Sequence, residues 1–481
     1  MPAWEEIRQI RIDKVNQLRQ LGLEPYPAQV ERTHTAAQVV QDFATLEGRA
    51  VTVAGRIVGQ RGHGQISFWD LEDASGRLQL YLRQDTLAPK IKEHLDLFDL
   101  GDFVQGRGEV VKTESGEISI QVKELVMLAK SLRPLPEKRA GLKDPELRLR
   151  KRYLDLIANP EAKELFRAKA RWFHALRDFM ESHGFLEVHT PVMQTLHGGA
   201  EARPFVTHMN ALDIDLYLRI APELYLKRLI VGGYEKVYEI GRNFRNEGVD
   251  AEHLQDYEAC EFYWAYATFE DLKHFVVDLY RHLAQESLGS LKHPYQNQTI
   301  DWGQEWAELD WRVTVKKLAG ADLTKDRDVE ALRQHCDRLH LDYEKEAGWG
   351  RLADLIWKKV CRPQIIQPSF VVNHPVEISP LSKRNPADPG TVLRVQPVAG
   401  GCELGNGFAE LNDPLDQYDR FASQQKLLEA GDEEAQPMDT DFIEALEYGM
   451  PPTAGWGLSE RLFSFFVNKP IRETTLFPLM R

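Results

Sequence analysis

Between Val237 and Tyr266 the chain sets ionisable side chains where a buried strand would carry apolar ones. Val237, Glu239 and Gly241 alternate with Tyr238 and Ile240, and Glu261 and Tyr263 alternate with Phe262 and Trp264. That period of two predicts a pair of antiparallel strands joined by a long hairpin connection. Arg242, Arg245, Glu247, His253 and Glu261 then stand on or beside the hairpin. The exposed face of an antiparallel sheet would account for such charge by itself. The apolar residues Leu224, Leu226, Leu229, Ile230 and Val231 just before it instead bring the hairpin against a core, and ionisable groups beside a core mark a candidate site.

A chain of 481 residues exceeds one ordinary core, so two or three domains are expected. Residues 3–21 repeat Ile7, Ile10, Val15, Leu18 and Leu21 at helical spacing. From Arg49 to Met127 five short alternating runs follow, at 51–55, 66–71, 78–82, 103–111 and 118–122, punctuated by glycines. Five strands in so short a span predict a small barrel of the oligonucleotide-binding type. The domains expected are 1–130, the helix and barrel; 131–150, a basic linker carrying Pro134, Pro136 and Gly141; and 151–481, an α+β domain on an antiparallel sheet flanked by helices, with a helical insertion near 326–365.

No run approaches the roughly 20 apolar residues of a spanning helix, and the first residues lack the basic and apolar regions of a signal peptide. Cys260, Cys336, Cys361 and Cys402 show no C-x-x-C spacing, which fits a reducing compartment. A cytoplasmic protein is expected, without membrane or DNA as a partner. The net charge of −14 speaks against indiscriminate nucleic-acid binding, yet the basic stretch 133–152 leaves room for a local RNA surface. On one candidate face of the barrel Arg61, Phe68 and Gln79, with Glu117 at a hairpin, combine a cation, a stacking ring and hydrogen-bonding groups suited to unpaired bases. The competing reading has Phe68 filling the barrel.

Phe244-Arg245-x-Glu247, a loop, and then His253-x-x-x-Tyr257 resembles motif 2 of the class II aminoacyl-tRNA synthetases. Gly184 to Pro191 resembles motif 1, and Ala454-Gly-Trp-Gly-Leu-Ser-Glu-Arg461 resembles motif 3. Arg219-Ile-Ala-Pro-Glu-Leu-Tyr-Leu-Lys-Arg228 and Gly405-Asn-Gly-Phe-Ala-Glu-Leu-Asn-Asp413 are similar to the lysyl branch, bacterial type, and the similarity runs over nearly the whole chain.

The resemblance implies a lysine–tRNA ligase that uses ATP and Mg²⁺, forms lysyl-adenylate and esterifies the 3′ end of its tRNA, as a homodimer joined through motif 1. It assigns ATP to Arg245, Glu247, His253, Tyr257, Glu403 and Arg461, with Arg245 and Arg461 as the catalytic cations. It assigns lysine to Gly199, Glu223, Glu261, Tyr263, Asn406, Phe408 and Glu410, and the anticodon to Arg61, Phe68, Gln79 and Glu117. Adenylate formation needs no general base, because the attacking carboxylate is already ionised; the protein supplies position and positive charge. Arg245 suits that task because a planar guanidinium spans two oxyanions at once.

Three positions depart from the family pattern. Gln396 stands seven residues before Glu403, where a second metal-holding acid is expected, so weaker cation binding follows. Motif 3 is one residue short, and Gln255-Asp256 replaces a Pro-Glu pair. The rivals are a non-catalytic, tRNA-binding paralogue and an aspartyl or asparaginyl enzyme. A third, a branch that lysylates a protein, lacks the barrel.

Overall fold

The computed structural model describes residues 4–63, 65–136, 142–248, 253–344, 347–432 and 434–480. Two compact units divide the chain at Pro160. In the first, helix α1 (Trp4–Gln20) precedes strands β1 (Ala50–His63), β2 (Ile66–Glu72), β3 (Arg77–Arg83), β4 (Phe103–Lys112) and β5 (Ile118–Ala129), which close into a barrel in the order β1-β2-β3-β5-β4. The period-two pattern decides what faces inward: Trp69, Leu71, Leu78, Leu80 and Leu82 fill the interior with Val104, Val110, Ile120 and Val122. Gly108 lies at a register shift between β4 and β5, where a Cβ would run into the Gln121 carbonyl.

Charge fastens α1 to this barrel. Arg11 donates to the carbonyls of Ser131 at 2.8 Å and Leu100 at 3.1 Å. Lys130, wholly buried, pairs with Asp102 at 2.7 Å and Asp99 at 2.5 Å. Asp102 is itself buried, so removing the ammonium would strand a carboxylate away from water.

The second unit, Glu161–Arg481, is built on one sheet. In chain order the elements used below are α2 (Pro160–Ser182), β6 (Leu186–Glu187), α3 (Glu223–Val231), β7 (Lys236–Phe244), β8 (Asp256–Ala265), α4 (Phe269–Leu288), β9 (Ala307–Asp310), β10 (Ser369–Val372), β11 (Arg394–Ala399), β12 (Cys402–Glu403), β13 (Asn406–Ala409), β14 (Thr453–Ser459) and α5 (Arg461–Phe466). The sheet runs β9-β10-β11-β13-β14-β8-β7-β6, with β12 beside β11. Its interior pairs are antiparallel, and parallel pairing occurs at the two edges, β6 with β7 and β9 with β10. The predicted hairpin is therefore the pair β7 and β8.

Alternation gives this sheet two different faces. Phe262 opposite Trp456 packs with Trp172 and Leu176 of α2 and with Phe275 and Leu279 of α4 in the main core. Thr268 starts α4 with a reciprocal capping box to Asp271. The sequence neighbours of Phe262, Glu261 and Tyr263, point to the other side, toward α3. Helices Trp311–Ala319, Val329–Arg338 and Trp349–Ile356 form a separate core around Trp311, Leu332, Leu352 and Trp357; the first of them begins before the expected insertion at 326–365. All four cysteines are buried, and none of them forms a disulfide. No described helix is long and apolar enough to cross a membrane.

Replacing Lys130 by Met is expected to cost the first unit about 3–5 kcal/mol, the penalty of an orphaned buried charge. Urea unfolding of the full chain, followed by hydrogen exchange at barrel amides, measures it; an unchanged barrel would show the ion cluster to be dispensable.

Candidate functional site

The polar face of the central sheet becomes a cleft because its middle strand has no side chains there. On β14, Gly455 lies between Tyr263 of β8 and Phe408 of β13, and Gly457 lies between Glu261 and Asn406. A Cβ at Gly455 would collide with Glu410 Oε1 and come within 2.5 Å of the Tyr263 ring. The glycines of the Gly-Trp-Gly run thus leave a floor, while the intervening Trp456 is buried in the core behind it. Tyr263 donates its hydroxyl to Glu261 Oε2 at 3.3 Å, and Arg394 Nε donates to Asn406 Oδ1 at 2.8 Å.

Three carboxylates converge over this floor. Glu223 opens α3, and one turn later Lys227 brings its ammonium to 2.5 Å from Glu223 Oε1 and into an ion pair with Glu410 Oε2. The ammonium also stands 5.4 Å from the Phe408 ring centre and 5.9 Å from that of Tyr263. Glu410 Oε1 is buried with no hydrogen-bond partner among the described residues. Burial pushes the Glu410 carboxyl well above its ordinary value, with Lys227 opposing, and raises Glu223 likewise. Burial first and then Glu223 push Glu261 up to about 8. Lys227 therefore pairs with two of the three acids, and the pocket has capacity for more positive charge. Gly199, at φ +85°, closes the same pocket: a Cβ there would lie 2.8 Å from Glu223 Cβ.

Arg245 follows the last residue of β7, held by a hydrogen bond from its N–H to the Gln255 carbonyl at 2.9 Å. Its guanidinium is 5.6 Å from the centre of the Tyr257 ring, and its Nε is buried without a partner among the described residues. Burial works to lower its pKa, but Tyr257, Glu247, Glu261 and Glu403 raise it on balance, so the cation lies within the field of both the pocket and Glu403. Beneath the strand end, the buried Arg219 pairs with Glu239 and donates to the Arg242 carbonyl at 2.9 Å. The Gln255-Asp256 departure has a structural role: Gln255 Nε2 donates to the Glu247 carbonyl at 3.1 Å, and Asp256 pairs with Arg242 at 2.6 Å, closing the hairpin. Glu247 and His253 are exposed, and residues 249–252 between them lie outside the described residues.

Shortened motif 3 keeps its acid anchored. The buried Glu460 pairs with Lys169 and accepts the Glu258 N–H at 3.1 Å, so Arg461 starts α5 beside β8. Glu403 on β12 pairs opposite Val398 of β11, which makes Gln396, two residues earlier, its diagonal neighbour. Gln396 Nε2 donates to Glu403 Oε1 at 2.9 Å, and Gln396 Oε1 is 3.0 Å from His374 Nε2.

In the barrel, considered by itself, Phe68 faces outward: Trp69 takes the core position, and Phe68 stacks on Tyr81 with ring centres 5.0 Å apart. Arg61 lies opposite Phe68 and pairs with Asp70 at 2.8 Å; Gln79 lies opposite Asp70 and accepts from Ser119 at 2.9 Å. Glu117 is exposed at the turn into β5. These residues share an outer surface. Lys227, the floor glycines, His374 and Tyr81 had not been singled out from the sequence; the i, i+4 spacing of Glu223 and Lys227 was the one local signal available.

The family profile described as "tRNA synthetases class II (D, K and N)" matches residues 144–481, and that described as "OB-fold nucleic acid binding domain" matches residues 51–128. The chain is 46% identical to "Lysine--tRNA ligase" of Moorella thermoacetica over 100% of its own length and 99% of the relative's. It is 47% identical to the protein of that description from Roseiflexus castenholzii, with 99% of each covered, and 46% identical to the one from Pelotomaculum thermopropionicum, covering 99% of this chain and 95% of that one.

Replacing Lys227 by Met would leave Glu223 and Glu410 buried without their cation, a loss of about 3–5 kcal/mol near neutral pH. Uncompensated carboxyls have folded pKa values above their unfolded ones, so the variant's deficit should grow as pH rises from 5 to 8 and fade below the unfolded carboxyl range. Denaturation of both proteins across that window tests this; a deficit independent of pH would contradict it.

Proposed function

Because the chain belongs to the class II tRNA synthetases of the D, K and N group, we propose that it activates lysine with ATP and transfers it to the 3′ end of a lysine-accepting tRNA. The observation that carries the choice among D, K and N is the acid set of the buried Glu223 and Glu410 with the half-buried Glu261, Glu410 Oε1 having no hydrogen-bond partner among the described residues. An aspartate or asparagine side chain would bring to that oxygen either a second anion or a neutral amide. A lysine ammonium brings the missing charge and donors together, and a buried acceptor left unpaired penalises any substrate that lacks them.

In this reading Glu410 and Tyr263 receive the side-chain ammonium, Glu223, Glu261 and the backbone at Gly199 receive the α-amine, and Asn406 and Phe408 line the stem. The substrate carboxylate then lies toward Arg245. Its oxygen attacks the α-phosphorus of ATP in line, a new P–O bond forms, and pyrophosphate leaves with the electrons of the broken bond. Arg245 spans carboxylate and α-phosphate oxygens, Arg461 and His253 meet the outer phosphates, Tyr257 stacks on adenine and Glu247 hydrogen-bonds beside it. In the second step the terminal ribose hydroxyl attacks the lysyl carbonyl and AMP departs.

Magnesium enters as the MgATP complex. The residues present do not fit an ion bridged by two protein carboxylates: Gln396 supplies an amide already donated to Glu403, and no cluster of three or more His, Cys, Asp or Glu among the described residues is arranged to hold a metal. The outward aromatic pair Phe68 and Tyr81, with Arg61, Gln79 and Glu117, supports anticodon reading by stacking and hydrogen bonds. A homodimer joined through motif 1 fits the exposed apolar side chains of Leu186, Val192 and Met193 on and after that segment. The setting is cytoplasmic, in keeping with four cysteines that form no disulfide.

Lysine-dependent ATP–pyrophosphate exchange is expected in the wild-type protein and should fall by about 10²–10³-fold in Arg245→Ala, the scale of losing one preorganised charge donor. Arg245→Lys should recover little, because it lacks the planar fork. Wild-type exchange no greater than that of Arg245→Ala would remove the proposal and favour a non-catalytic tRNA-binding protein. Because Glu261 carries its proton below about pH 8 and must lose it to pair with an ammonium, lysine binding at pH 7 should release protons. Affinity should accordingly rise from pH 7 toward 8.5; calorimetry in buffers of different ionisation enthalpy reads the release, and heats independent of buffer would contradict it.

A further inference from the structure

Gln396, Glu403 and His374 form a chain whose orientation follows from their hydrogen-bonding chemistry. A carboxylate only accepts, so the Gln396 amide must turn its NH₂ toward Glu403, 2.9 Å away, and its oxygen toward His374 Nε2, 3.0 Å away, which must then donate. The three groups come from separate pieces of chain. Gln396 projects from β11 opposite Val371 of β10, His374 follows two residues after β10 ends, and Glu403 lies on the short strand β12. Gln396 and His374 are buried, and Glu403 is partly exposed.

Two carboxylates at this separation cannot both remain ionised without a cation or a shared proton between them. An amide in one of the two places removes that requirement, because it donates where the second acid would repel. The charge on Glu403 is also met from other directions, since both Arg245 and Lys358 lie within its field. Nothing in this donor set asks for a further divalent ion.

We infer that Gln396, oriented by His374, is a positioning residue that holds Glu403 by a hydrogen bond in place of a bridging divalent cation, so that the protein has no ion site between residues 396 and 403. This rests on the reading that Glu403 faces the nucleotide. Magnesium is then needed only as part of MgATP, with no further free-ion requirement at this position. The departure at 396 replaces a metal bridge rather than ending turnover.

Titration of Mn²⁺ into the full-length protein without nucleotide, with free Mn²⁺ read by electron paramagnetic resonance, tests this independently of catalysis. Wild type should show no site that Glu403→Gln removes. Gln396→Glu should gain one such site, binding Mn²⁺ at least about tenfold more tightly than wild type, and its exchange reaction should acquire a requirement for free Mg²⁺ in excess of ATP. A Glu403-dependent site in wild type, or a folded Gln396→Glu protein that gains none, overturns the inference. If Gln396→Glu does not fold, the comparison of wild type with Glu403→Gln decides alone. Absence of exchange alongside these binding results would count against the proposed function and leave the cation result standing.

Discussion

The second unit depends on a cluster of desolvated carboxyl groups held in its cleft. Glu223, Glu261 and Glu410 are drawn from a helix and from the two chain segments that flank β14, and one internal ammonium, Lys227, ties two of them together. Such an arrangement is costly to fold, since each desolvated carboxylate is worth several kcal/mol until it is paired. It persists here because glycines on β14 open the floor between flanking strands and the apolar body of the sheet packs on the reverse side. The same strand therefore builds the core with Trp456 and the pocket with its neighbours.

Arg245 completes the arrangement at the end of the adjacent strand. Its backbone is fixed by the hydrogen bond to Gln255, and its guanidinium lies near the Tyr257 ring within the field of Glu247, Glu261 and Glu403. A substrate with a carboxylate at one end and an ammonium at the other finds opposite charge at both ends. Motif 3, though shorter, retains its anchor because Glu460 is tied to Lys169 and to the Glu258 backbone, which keeps Arg461 at the start of a helix beside the same strand.

Much of this was legible in the order of residues. Alternation around Tyr238 and Phe262 predicted the central hairpin, five short glycine-punctuated runs predicted the barrel, and long matching strings pointed to the family that the comparisons then showed. Less legible were features that depend on distance in space. Lys227 reads as an ordinary helical i, i+4 partner of Glu223 until Glu410, far along the chain, arrives on its other side. His374 is 22 residues from Gln396 and carries no motif of its own. Phe68 could be placed inside or outside the barrel by composition; the neighbouring Trp69 won the interior because only one of two successive strand residues can face it.

The central claim is that this cleft selects its substrate by a charge placed at Glu410. Calorimetric titration of the full chain with lysine and with norleucine, which keeps the aliphatic stem and lacks the terminal ammonium, tests it most directly. Lysine should bind and norleucine should be weaker by on the order of 10⁴-fold, the scale expected when a buried polar group is left unmatched. Comparable affinities for the two would contradict the account.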